Sequence, residues 1–184
     1  MTDPMTDPMT DPVTDPVTDP RPDPVTDISV QVQAGRFDPG AELNAFTANT
    51  TAIGAVASFV GLVRDLNLDH AVAALHLEHY PGMTEQVLLE IAGQASQRWA
   101  LQRLRVIHRF GDLLPGDPIV MVLTASPHRG EALEACAFVM DFLKTQAPFW
   151  KRESTPAGPR WVDARASDDH ALGRWQAGKG VDHG

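Results

Sequence analysis

Cysteine occurs once in this chain, as Cys136, which excludes an internal disulfide. A lone thiol fits a reducing compartment. No apolar run approaches the roughly 20 residues needed to cross a bilayer. The N-terminus has neither the basic start nor the apolar stretch of a secretory signal. The expectation is a cytoplasmic protein without membrane attachment. P-loop and GxGxxG fingerprints are missing as well, so nothing positive points to nucleotide binding. Lysine is the scarcest cation, with three residues against twelve arginines.

Aspartate and proline, by contrast, crowd into the first 27 residues, MTDPMTDPMTDPVTDPVTDPRPDPVTD. Proline at every fourth position or closer removes backbone donors and excludes helix, and the repeated Thr-Asp offers no apolar face. Residues 1–27 therefore read as an extended, disordered tail. Its seven aspartates and one arginine account for −6 of the overall −9, leaving −3 for the remainder. That near balance argues against a general nucleic-acid surface. Residues 28–176 are long enough for one well-filled core, and 177–184 read as a flexible C-terminal tail.

The periodicity of the central region mixes strands and helices. Ile28, Val30 and Val32 alternate with polar residues as in a half-buried strand. Asp38-Pro39 caps a helix running to Ala48. A second strand is expected over 52–63, a polar loop over 64–70 and a third strand over 71–80. Pro81-Gly82 then precedes a helix over 84–99. Strands at 104–110 and 119–125 flank GDLLPGD, read simply as a turn. A long helix spans 127–146, with Pro127 in its first turn and Pro148 as its stop. A hairpin of FWKRE and RWVDA follows, then a short helix near 168–175. The class is α/β or α+β.

Two of the three lysines stand close together in KTQAPFWKRE, residues 144–153. Lysine can shed its proton and serve as a base or nucleophile, which arginine does not. At 100° per residue Lys144 lies in line with Met140, Ala137 and Leu133, apart from the polar stripe of Glu131, Glu134, Asp141 and Thr145. It flanks an apolar surface, a setting that favours a neutral amine. Spacing does not place Lys151 with it, because Pro148 breaks the helix. Lys151 is either a solvated strand lysine paired with Glu153 or, if the chain turns back at Pro148, a second lysine of the same pocket. At the other end of the helix, Ser126-Pro127-His128-Arg129 combines free backbone N–H groups with two basic side chains, as an anion site requires. Arg64, at the end of a strand, is a further anion ligand or a surface arginine. His76 and His79 fall on opposite faces of one strand, which speaks against zinc. Cys136, on the apolar side of the helix, reads as an inert core thiol.

Four stretches, EHYPGM at 78–83, VIHRFGDLLPGD at 106–117, SPHR at 126–129 and MDFLKTQAPFWKRE at 140–153, occur in this order. Together they closely resemble the family of large, catalytic subunits of molybdopterin synthase, and the similarity spans Ile28 to Trp175. The resemblance implies an α/β hammerhead-type fold with mixed, largely antiparallel sheets. It implies a sulfurtransferase of molybdenum cofactor biosynthesis, a homodimer within a heterotetramer. Its partner is a small ubiquitin-like sulfur-carrier subunit whose C-terminal Gly-Gly carries a thiocarboxylate. Its substrate is cyclic pyranopterin monophosphate, which two sulfur transfers convert to the molybdopterin dithiolene. No metal and no resident cofactor are expected.

Carried over by position, the family's essential lysine falls on Lys144 and its second active-site lysine on Lys151. Its substrate-binding groups fall on Arg64, His128 and Arg129, while Phe59, Met140 and Glu153 match positions near the pocket. The TDP repeat and Pro127 depart from the family pattern. The individual roles of the two lysines stay open between proton transfer, positioning and charge stabilisation. A non-catalytic module that docks a ubiquitin-like partner is the competing reading. A phosphate-ester hydrolase using His128 is disfavoured for want of a metal cluster or nucleophile-base pair.

Overall fold

The computed structural model describes residues 27–67, 70–71, 74–155, 158–162 and 173–175. Asp27 does not belong to the tail expected over 1–27, because it opens the first strand and pairs with Arg103. Residues 1–26 of that tail lie outside the described residues, as do the tail expected over 177–184 and most of the short helix near 168–175. Only 173–175, a single helical turn, represents that helix.

Continuous apolar runs mark strands buried on both faces, and PIVMVLTAS is the clearest run in the chain. It forms β8 (Pro118–Ser126), with every residue but Ile119 buried. β8 lies between β6 (Arg103–Arg109) and β2 (Ala55–Leu62), both antiparallel to it, and β1 (Asp27–Gln33) adds in parallel beside β6. Alternation then divides the side chains. Val120, Val122, Leu104 and Val106 face α2 (Met83–Arg98) and α3 (Arg129–Gln146) in the main core. Met121, Leu123 and Ile107 face the opposite side, packed with Phe37 and Phe46 beside α1 (Pro39–Thr47). Asp38 caps α1 as its sequence requires, its carboxylate accepting from the Gly40 and Ala41 amides at 2.8 and 3.2 Å.

A second, antiparallel sheet has the order β10-β9-β5-β7. It comprises β5 (Ala74–His79), β7 (Gly111–Leu113), β9 (Phe149–Thr155) and β10 (Gly158–Val162). Leu75, Leu77 and Leu113 form its small core with Val63. The mixed, largely antiparallel sheets and flanking helices are the expected α+β arrangement.

Three local expectations are corrected. GDLLPGD is more than a turn. Gly111, at φ +85°, turns the chain straight out of β6 and lets residues 111–113 pair with β5, anchored by the fully buried Leu113. The stretch 64–70 is not all loop, since β3 (Leu66–Asn67) and β4 (His70–Ala71) form a minimal hairpin. Pro127 stands outside α3. Ser126 is still paired with Ala55 at the end of β8, so the turn uses 127 and 128, and His128 becomes the N-cap.

Candidate active site

The direction of α3 decides what the candidate residues can share. The Thr124 hydroxyl donates to the Ala132 carbonyl at 2.7 Å, and Cys136 Sγ lies 4.0 Å from the Val122 carbonyl oxygen. As α3 advances, β8 retreats, so α3 runs antiparallel to β8 and parallel to β2. From Arg129 to Lys144 the helix rises about 22 Å, and β2 from Ala55 to Leu62 spans about 23 Å. One end of this layer therefore carries His128 and Arg129. The other carries Lys144, with Arg64 just past the end of β2.

The start of α3 is built for exposed basic groups on a stiff base. Ser126, fully buried, donates its hydroxyl hydrogen to the Glu131 carboxylate and accepts the His128 amide at 3.2 Å. Gly54 donates to the Ser126 carbonyl at 3.1 Å. The strand entry presses so closely on this turn that a Cβ at position 54 would sit 2.1 Å from the Pro127 carbonyl oxygen. Gly54, Ala55, Pro127, His128, Arg129 and Gly130 line an open depression. His128 and Arg129 are both exposed there, and the first-turn amides with the helix dipole favour an anion.

The end of α3 is constructed differently. The residue before a proline avoids helical geometry, so α3 stops at Gln146, and only Ala147 and Pro148 separate it from β9. Phe149 opens β9 opposite His79, and Lys151 follows opposite Leu77. Two residues apart on a strand, Phe149 and Lys151 share a face. The Phe149 ring stacks on His108, with centroids 3.7 Å apart and planes at 17°. His79 lies beside both Phe110 and Phe149, at 4.3 and 6.3 Å, and its buried Nδ1 has no hydrogen-bond partner among the described residues.

His108 is only 4% exposed. Burial pulls its pKa down to about 3; the nearby Lys151 charge and His79 push the same way, and its bond to the Arg109 carbonyl opposes them. It is therefore neutral at ordinary pH. A carbonyl can only accept, so the 2.9 Å contact with Arg109 O fixes the proton on Nδ1 and leaves Nε2 unprotonated.

The chain does turn back at Pro148, as one of the two readings of Lys151 required, and that lysine lies within electrostatic reach of His108. Lys144 is exposed in the last turn of α3. Of its expected apolar neighbours Met140 is buried at 7%, but Leu133 is 62% exposed, so the flank is apolar without being enclosed. Phe59, on β2, is 38% exposed. Arg64 is exposed. Glu153 sits in β9 opposite Leu75 on one side and Arg160 on the other. Within one chain, then, Arg64 and the lysines occupy one end of the layer and the His128–Arg129 pair the other.

Sequence reasoning missed His108, Phe149 and Gly54, and took Ser126 only as part of the helix start, not as the buried hydroxyl beneath it. A signal existed for His108, which continues the period-two row of Leu104 and Val106 and so faces the core. Cys136 is where expected, 7% exposed, with burial pushing its thiol up to about 11.

The family model described as MoaE protein matches residues 32–146. A Pseudomonas aeruginosa protein named molybdopterin synthase catalytic subunit is 56% identical over 149 residues, covering 81% of this chain and 99% of that protein. Among solved structures, a molybdopterin biosynthesis MoaE protein from Burkholderia ambifaria has a TM-score of 0.70 at 54% identity, covering 81% of this chain and 98% of that one. A molybdopterin synthase structure from Staphylococcus aureus has a TM-score of 0.67 at 25% identity, covering 72% and 96% respectively.

Proposed function

The chain belongs to the MoaE family, and on that premise we propose that it is the catalytic subunit of a molybdopterin synthase. It takes sulfur from the C-terminal thiocarboxylate of a small ubiquitin-like subunit. It delivers that sulfur to cyclic pyranopterin monophosphate, making the dithiolene of molybdopterin. The observation that carries this reading is the likeness, at 56% identity, to a named catalytic subunit over 99% of that protein's length.

The chemistry falls to groups this chain supplies. Arg129 and His128, with the first-turn amides of α3, hold the substrate's phosphate through charge-assisted hydrogen bonds. Lys144 and Lys151 act at the reacting centre, where an amine can move a proton or balance charge as sulfur adds to carbon. Arg64, Phe59, Met140 and Glu153 belong to the lysine half. A span of about 22 Å along α3 is too long for one small substrate to bridge. A complete site therefore takes its lysine half from one copy and its anion half from a second, in a two-fold homodimer. No helix among the described residues is long and apolar enough to cross a membrane, and the enzyme works in the cytoplasm. Residues 27–176 are the working domain, with residues 1–26 and 177–184 as appendages.

Reconstitution tests the reading. Purified protein, thiocarboxylated small subunit and cyclic pyranopterin monophosphate should yield dithiolene product. Binding of the small subunit without any product would favour a non-catalytic docking module instead.

A further inference from the structure

Only Ala147 and Pro148 join the helix bearing Lys144 to the strand bearing Lys151. Proline fixes its own φ and restricts the residue before it. Wherever the Phe149 ring settles, the relative placement of the two lysines is therefore largely decided. That ring lies flat on His108, 3.7 Å away, and His108 belongs to the other sheet, at the end of β6. His108 is itself immobilised. It is 4% exposed, its Nδ1–H is tied to the Arg109 carbonyl, and Arg109 is anchored in turn by donating to the Pro118 carbonyl at 3.1 Å.

We propose that His108 is a positioning residue for sulfur transfer, a flat plate that seats Phe149 and thereby fixes Lys151 relative to Lys144. The inference rests on the assignment of Lys151 to the reacting centre. His108 touches neither substrate nor sulfur. It acts through the stack, so ring shape is the property that counts. A leucine fills similar space but offers no flat face, whereas a phenylalanine keeps the plate and discards both nitrogens.

The test compares His108→Leu, His108→Phe, Lys151→Ala and the His108→Leu/Lys151→Ala double variant. All are assayed for dithiolene formation from thiocarboxylated small subunit and cyclic pyranopterin monophosphate. Displacing a reacting group by about 1 Å costs on the order of 100-fold. The leucine variant should therefore lose about 10- to 100-fold in kcat while KM for the pyranopterin stays within about threefold. The phenylalanine variant should recover most of the rate. In the Lys151→Ala background, His108→Leu should cost little more, because residues acting as a unit are not additive. Should the leucine variant fail to fold, Phe149→Leu removes the same stack from the other side and should show the same loss in kcat.

Wild-type kcat in the leucine variant would overturn the proposal. Equal losses for leucine and phenylalanine, or independent multiplication with Lys151→Ala, would overturn it too. Full activity of Lys151→Ala would remove the premise and the inference together. Loss in Lys151→Ala with none in His108→Leu would remove the inference alone.

Discussion

The two ends of α3 solve opposite problems. At its start the basic side chains stand in solvent on a turn stiffened from beneath by Ser126, Glu131 and the close approach of Gly54. At its end an exposed lysine leads within seven residues to another, and between them the half-buried Phe149 stacks on the buried His108. In the proposed function, the first end needs donors with open access to an arriving anion, and the second needs two side chains from different elements held at a fixed separation. Open donors come from a helix terminus at little packing cost, whereas registering a helix against a strand takes a rigid contact between the two sheets.

The largest effect should come from breaking the lysine end chemically. Lys144→Ala should lower dithiolene formation by about 10²- to 10⁴-fold, the range for losing a group that transfers protons in the transition state. Arg129→Ala breaks the other end and should act mainly on kcat/KM. If each site draws one end from each copy, co-assembling the Lys144→Ala and Arg129→Ala chains restores one intact site in every mixed dimer. With random pairing that amounts to about a quarter of wild-type activity. Activity no higher than the sum of the two variants alone would mean that one chain supplies both ends.

The stack can be probed through pH without reference to catalysis. His108 has its folded pKa depressed from 6.5 to about 3, chiefly by burial. Between those values the unfolded chain binds the extra proton, so stability rises with pH there and falls on acidification, by about 1.4 kcal/mol per unit. From pH 7 to pH 5 the wild type should lose about 2 kcal/mol of unfolding free energy through this group. His108→Phe should remove most of that loss, as read from urea midpoints at the two pH values. Asp117 does not confuse the result. The Leu114 amide, first among its causes, holds its carboxyl below 3.8, so its contribution fades only at lower pH. An unchanged pH dependence in the phenylalanine variant would mean that His108 is not held neutral by the fold.

A smaller effect is expected at the opposite end from Gly54→Ala. The added Cβ would sit 2.1 Å from the Pro127 carbonyl oxygen, and that atom is backbone. The turn carrying His128 and Arg129 must move, so KM for the pyranopterin should rise about tenfold while kcat changes little, the signature of lost ground-state binding. A fall in kcat at unchanged KM would mean that this turn serves the reacting centre and not the anion.

Much of this contrast was legible in the sequence, though unevenly. The Asp38 cap, the central strand PIVMVLTAS and the stop before Pro148 each depend on local chemistry, and each appears where its residues direct. The hairpin after Pro148 forms as well, but its pairing runs through Thr155 and Gly158, into the stretch TPAGP expected as its turn. The geometry of the candidate site depended on something non-local. Helical spacing placed Lys144 over Met140 but could not show that Leu133 is left open to solvent. SPHR looked like a helix start containing its proline, yet pairing of Ser126 with Ala55 carried the strand further and pushed Pro127 out of the helix. His108 escaped notice because a histidine in an apolar row looks like any core residue until its neighbour, 41 positions on, is known. Nor did any spacing rule reveal that Arg64 and Arg129 lie at opposite ends of one layer.

The smallest effect on rate should come from Cys136, and the absence of an effect is informative. A protein that moves sulfur and has one thiol invites the idea that the thiol carries it. Cys136 sits midway along α3, between the two working ends, 7% exposed, and burial raises its pKa to about 11. At pH 7 the nucleophilic thiolate is then about one part in ten thousand. Cys136→Ala should leave dithiolene formation at the wild-type rate and cost about 1 kcal/mol of stability for the small void. A loss of rate beyond what that destabilisation explains would bring sulfur through the middle of the helix, and the division of labour between its two ends would have to be abandoned.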